Sequence, residues 1–270
     1  MRRQLQLFLV AVQFLTRLPV PALSDFQPSW LAQSARYFPL VGVLVGMLNI
    51  LAWWVASRWL PAPVAVGLML AVSLLITGAF HEDGLADTCD GMGGGTTADR
   101  VLAIMKDSRI GAYGAIGIFM MLALKWATLL ALPAAAFPLL VIGAHMLSRW
   151  CACGLIWGLR YVREDFDAKS KPLADTLSAG EWILSLSLGL LGLLPAMAWL
   201  TSSTGLGQAL GAALGAGAGA AAITALAAGA YFRRRIGGYT GDCLGAVQQL
   251  AELAFLLGGL VLLAPPRRVG

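Results

Sequence analysis

Long apolar runs divided by short polar stretches organise this chain. From Tyr37 onward the runs fall at about 37–57, 63–80, 112–132, 139–157, 182–200, 206–231 and 243–264. A helix of roughly 20 apolar residues crosses a bilayer, so these runs predict about seven spans. Pro61 and Pro63 mark the first turn, and Pro133 and Pro138 bracket a later one. Trp53, Trp54 and Trp59 stand where the first run ends, as interface aromatics do. In the sixth run Gly207, Gly211, Gly215 and Gly219 recur every fourth residue. That strip predicts a smooth groove for close helix packing, in a homo-oligomer or within one chain. Residues 1–20 differ. Arg2 and Arg3 precede an apolar run broken by Gln6, Gln13 and Arg17, with no small-x-small cleavage site after it. This argues against a signal peptide. Leu5, Leu9, Val12 and Leu15 can share a face, which predicts an amphipathic helix at, or dipping into, the cytoplasmic interface. An eighth span results if that helix crosses.

Composition agrees with this pattern. The 270 residues are 59% hydrophobic and only 12% charged, with mean hydropathy +0.76. A soluble domain carries about 25% charged residues. The fold class is therefore all-α: a polytopic integral membrane helical bundle forming one domain over 1–270. The net charge of +5 then reflects Lys and Arg held on one membrane side, not nucleic-acid binding. The segments 81–111, 158–180 and 232–242 carry most of that charge, whereas the turns at 133–138 and 201–206 carry none. The positive-inside rule places the three charged segments in the cytoplasm, on one face, where they can converge. Arg58 and Arg267-Arg268 fall on the other side of this arrangement. Cys89, Cys151, Cys153 and Cys243 form no disulfide framework; Cys151-x-Cys153 reads as helix packing.

One stretch breaks the apolar pattern. Of 14 acidic residues, six lie between His81 and Gly114: Glu82, Asp83, Asp87, Asp90, Asp99 and Asp107. Carboxylates beside apolar spans are costly and mark function by default. On a helix Asp83, Asp87 and Asp90 are i, i+4 and i+7, within a sector of about 60°. Three carboxylates on one stripe repel unless a cation lies against them. Oxygen donors without a His or Cys set favour Mg²⁺ or Mn²⁺ over Zn²⁺. Gly93-Gly94-Gly95 then ends the helix and lets backbone amides approach a phosphate. Lys106, Asp107 and Arg109 add a carboxylate and two cations. Together these groups suit a phosphate ester or pyrophosphate. A solvated acidic loop is the plain alternative.

Within the spans lie Lys125, His145, Arg149 and Glu252. Arg149 can meet the acidic stretch or a substrate phosphate, or form a structural pair with a carboxylate. Glu252 can support Arg149 or the metal. Lys125 and His145 read as snorkelling or packing residues. Asp242, beside Arg233-Arg234-Arg235, is a candidate contributor to the phosphate site.

The run His81-Glu82-Asp83-Gly84-Leu85-Ala86-Asp87-Thr88-Cys89-Asp90-Gly91 resembles the signature of the cobalamin synthase family, the adenosylcobinamide-GDP ribazoletransferases. Ile104-Met105-Lys106-Asp107-Ser108-Arg109-Ile110-Gly111-Ala112-Tyr113-Gly114 does so too. Phe14–Pro21, Phe38–Gly42, Ser148-Arg149 and Gly241-Asp242-x-Leu244-Gly245-Ala246 extend the resemblance over essentially the whole chain. It implies a Mg²⁺-dependent transferase of the bacterial cytoplasmic (inner) membrane, its active site facing the cytoplasm. The implied substrates are adenosylcobinamide-GDP and α-ribazole or α-ribazole 5′-phosphate, and the products are adenosylcobalamin or its 5′-phosphate, with GMP. On this reading Asp83, Asp87, Asp90 and Asp107 hold metal, while Lys106, Arg109, Arg149 and Asp242 serve the substrate phosphates. A CDP-alcohol phosphotransferase would need D-x-x-D-G-x-x-A-R, and the chain lacks that Ala-Arg. A cation transporter would put its acids near the midplane of broken helices within an inverted repeat. Here the acids lie at a span end, and no internal repeat is evident.

Overall fold

A computed structural model describes residues 2–22, 26–162, 177–204 and 207–263. The described residues form eleven α-helices and no strand. They are α1 (Arg2–Leu15), α2 (Ser29–Ser34), α3 (Phe38–Ala56), α4 (Ala62–Thr77), α5 (Phe80–Gly94), α6 (Ala98–Ile104), α7 (Ala112–Ala131), α8 (Phe137–Gly158), α9 (Ala179–Thr204), α10 (Gly207–Ile236) and α11 (Gly241–Leu263). Prolines start α3, α4 and α8 in their first turns, where a missing N–H costs nothing.

The bundle is all-α and polytopic. Five described helical runs are long and apolar enough to cross a membrane: Ser29–Ala56, α7, α8, α10 and α11. The pair α4 and α5 makes a sixth if counted as one span, but it bends by 89°. α9 stands where the fifth span was expected, with Pro195 inside it. The central helix is α8, buried on nearly all sides by α3, α9, α10 and α11. Gly42 and Gly46 let α3 close on it: a Cβ at Gly46 would lie 2.8 Å from Ile142 Cα.

Two expectations shift. The strip Gly207, Gly211, Gly215, Gly219 does not mediate packing within the chain; a Cβ on any of them would meet nothing within 4 Å. The packing face of α10 is the neighbouring strip Ala213, Gly217, Ala221, Ala225 and Gly229. A Cβ at Gly217 would lie 2.7 Å from Phe255 O, and one at Gly258 of α11 would lie 2.8 Å from Ala216 O. In α1 the buried face is Leu7, Val10, Ala11, Val12 and Leu15, and Leu5 is exposed. At 14 residues α1 is too short to span; it packs on α2 and α3.

Candidate active site

The polar stretch folds as a helix turned out of line. Gly78 (φ 66°) and Ala79 (φ 55°) both adopt the left-handed conformation and produce the bend between α4 and α5. Gly78 needs its missing Cβ because the Arg17 guanidinium fills that space. The Arg17 N–H donates to Ile76 O at 2.7 Å, so the segment after α1 braces the bend. Glu82 and Asp83 occupy the first turn of α5, where the helix dipole favours negative charge.

Along the predicted stripe the environment changes by steps: Asp83 is exposed, Asp87 half-buried and Asp90 buried. Asp90 Oδ2 accepts from Gly111 N at 2.7 Å and Oδ1 from Gly114 N at 2.8 Å. It therefore satisfies two orphan amides at the start of α7. Gly111 and Gly114 are glycines for this contact, since a Cβ at either would collide with the Asp90 carboxylate. Asp107 is engaged elsewhere: Arg109 donates to it from Nη2 at 2.6 Å and from Nε at 2.9 Å. These hydrogen bonds, together with the Arg109 backbone N–H, hold its exposed carboxyl down at about 2. The four carboxylates expected to share a metal are thus not gathered. Among the described residues no three His, Cys, Asp or Glu side chains form a ready metal cage. Toward the open side the stripe presents exposed Asp83, with half-buried Asp87 one turn on.

The triple glycine is not a phosphate cradle. Gly93 and Gly94 belong to the last turn of α5, which ends in carbonyls, and Gly95 N donates to Gly91 O. Arg235 covers that end, donating to Gly95 O at 2.7 Å and Met92 O at 3.2 Å. Gly93 instead makes room for the Tyr113 ring, and Gly95 for Val101 of α6.

The charged segments do converge. Arg235 ties the end of α10 to α5. Tyr239 N donates to Arg160 O at 2.9 Å and Val162 N to Tyr239 O at 3.0 Å, which ties in the start of the 158–180 segment. Residues 163–176 of that segment lie outside the described residues. Asp242 opens α11 against α5: a Cβ at Gly84 would lie 2.9 Å from Asp242 O. Gly245 faces Gly84 from α11, so two glycines let the two motif helices touch. Lys106 lies exposed between α6 and α7.

Beneath this face lies a polar network that the sequence reading largely missed. Lys125 is only 3% exposed and does not snorkel. Its Nζ donates to Glu252 Oε1 at 2.6 Å and Gln249 Oε1 at 2.7 Å. His145 Nδ1 lies 3.0 Å from Glu252 Oε2. Gln248 donates to Glu252 Oε2, and Gln249 donates to Glu82 Oε1 at 2.9 Å. Arg149, 2% exposed, donates from Nη1 to His145 O. It sits within the bundle, with Glu252 and Glu82 as the carboxylates acting on it. It does not share the open face with Asp83. The available signal was Asn49, Gln248 and Gln249, polar residues in the middle of apolar runs.

Residues 7–261 match the cobalamin-5-phosphate synthase family. A protein from Shewanella frigidimarina called adenosylcobinamide-GDP ribazoletransferase is 43% identical over 259 residues, 94% of each chain. One of the same name from Leptothrix cholodnii is 44% identical, covering 94% of this chain and 95% of that one. A third, from Shewanella baltica, is 42% identical over 93% of this chain and 92% of its own. No solved structure matches.

Proposed function

The chain belongs to the cobalamin-5-phosphate synthase family, and from that premise we propose how its residues carry out the transfer named in its relatives. The enzyme is a membrane transferase of cobalamin nucleotide-loop assembly. It joins adenosylcobinamide-GDP to α-ribazole or α-ribazole 5′-phosphate. The ribose 3′-hydroxyl oxygen bonds to the phosphorus on the corrinoid's aminopropanol arm. The bond from that phosphorus to the GMP oxygen breaks, and the hydroxyl proton leaves to a base. Adenosylcobalamin or its 5′-phosphate forms, with GMP.

The observation that carries the site assignment is the exposed stripe of α5. Asp83 is exposed on that stripe, and Asp87 lies half-buried one turn further along it. Mg²⁺ is commonly held by one or two carboxylates plus substrate phosphates and water, so this hard-oxygen pair fits it without a full protein cage. When bound, Mg²⁺ supplies neutralisation of charge at the pyrophosphate. Lys106 and Arg109, both exposed between α6 and α7, clamp nonbridging oxygens, Arg109 by exchanging Asp107 for phosphate. Asp242 borders the site from α11. Asp90 and Arg149 position it from below, through α7 and the buried network. The converging charged segments support a site at the cytoplasmic face of the inner membrane, by the positive-inside rule. An open face suits a corrinoid, which is too large for a narrow pocket.

The test is turnover by purified protein in bilayers with adenosylcobinamide-GDP, α-ribazole and Mg²⁺, following GMP and cobalamin together. Equal release of both supports the reading. Folded protein that yields neither overturns it.

A further inference from the structure

Two buried oxygens in the network have no protein partner: Glu82 Oε2 and Asn49 Oδ1. Both residues line one cavity of about 20 Å³, with Ser73, Lys125, His145 and Glu252. Around that cavity the hydrogen-bond directions are forced. Asn49 Nδ2 can only donate, so His145 Nε2, 3.1 Å away, accepts. His145 Nδ1 then carries the hydrogen donated to Glu252 Oε2. Lys125 donates to Glu252 Oε1 and Gln249 Oε1, and Gln249 Nε2 donates to Glu82 Oε1. The chain of bonds thus runs from Asn49 through His145, Glu252, Lys125 and Gln249 to Glu82. It ends on two acceptors, which cannot bond each other.

A group that donates twice closes the gap. A water molecule needs roughly 10–15 Å³ by this measure and two to four polar partners. A divalent cation needs about six oxygens, and the Lys125 ammonium faces the same space. We propose that one water molecule binds here, donating to Glu82 Oε2 and to Asn49 Oδ1. It completes a buried ring that makes Glu82 a positioning residue for α5. The ring joins α3, α8, α11, α7 and α5, and Asp83 follows Glu82 directly in the chain. It therefore sets the rotation of α5 that turns Asp83 and Asp87 outward.

The water and its positioning role are tested separately, because only the second rests on the transferase reading. Val141 lines the cavity, and Val141→Ile adds one methylene. With water present the substitution crowds it out and strands two acceptors, lowering Tm by about 2–4 °C. A dry cavity would instead be filled and Tm would rise, overturning the proposal. A map of the unmodified protein that resolves ordered water gives an independent reading. Density within hydrogen-bonding distance of both oxygens supports the site. An empty cavity, a metal ion, or direct Glu82–Asn49 contact through a protonated carboxyl overturns it. For the positioning role, Glu82→Leu is expected to lower kcat about 10–100-fold and raise the Mg²⁺ half-saturation concentration. Glu82→Gln, which keeps an acceptor for Gln249, restores both. Glu82→Leu with unchanged Mg²⁺ dependence would reduce the ring to plain packing.

Discussion

Adjacent residues of α5 live under opposite rules. Asp83 is exposed, whereas Glu82 is 8% exposed and hydrogen-bonded inside the bundle. On the open face carboxylates keep their charge because water solvates it. In the interior they keep it only through a matched set of partners. Glu82 and Glu252 are countered there by Lys125 and Arg149. The difference separates residues that act from residues that hold, and it makes the two sets fail differently.

Breaking the interior gives the largest expected effect. Glu252→Leu leaves the Lys125 ammonium buried without its carboxylate and is expected to destabilise the fold by about 3–5 kcal/mol. Joining it with Lys125→Met removes both charges and should recover most of that loss, since an apolar pair of similar size is often as stable. Detergent thermal melts of the single and double variants check this. A double variant no better than the single would mean the Gln248, Gln249 and His145 contacts matter more than the ion pair.

The open face should break without unfolding. Asp83→Asn is expected to cut turnover to below about 1% while membrane insertion and Tm stay unchanged. Chelating divalent metal should stop the unmodified enzyme in the same way, and Mg²⁺ should restore it. Near-normal turnover by Asp83→Asn would remove the metal assignment. Asp90 tests the boundary between the two sets. Asp90→Ala strips the start of α7 of two charged hydrogen bonds, at a cost of about 1–3 kcal/mol. It should lower Tm and activity together, whereas a metal ligand would lose activity alone.

How much of this was legible beforehand follows from where each residue's partner lies. The register of Asp83 and Asp87 needs only helical spacing within one motif, and the spans need only apolar length. Asp90 reads as a third ligand on spacing alone; its partners here are backbone amides 21 and 24 residues away, which no side-chain pattern reveals. Gly111 and Gly114, spaced three apart, were the trace of that contact. Lys125 was misjudged for the same reason: its partners lie 124 and 127 residues on, in α11. In α10 two small-residue strips share one period, and the choice between them was made by Phe255 and Gly258 on the other helix.

The smallest effect concerns Asp107 and Arg109, the exposed counterpart of the buried pairs. Arg109 holds the Asp107 carboxyl at about 2, against an ordinary value of 3.8. A carboxyl lowered on folding adds stability above its unfolded value, and that contribution fades as pH falls through the folded one. The pair should therefore leave stability flat between about pH 5 and 8 and weaken it only below about pH 4. Salt should diminish even that, because exposed pairs are screened. Arg109→Gln is expected to return the Asp107 titration to the ordinary carboxylate range, with Tm at neutral pH unchanged and turnover reduced. Carboxyl chemical shifts across an acid titration, read beside the neutral-pH melt, check both halves. A lowered neutral-pH Tm would show the pair to be structural, and unchanged turnover would take Arg109 out of the phosphate clamp. The contrast with Glu252 is one of solvent: losing one partner of the buried pair strands a charge inside the bundle, whereas at the surface water solvates the partner left behind.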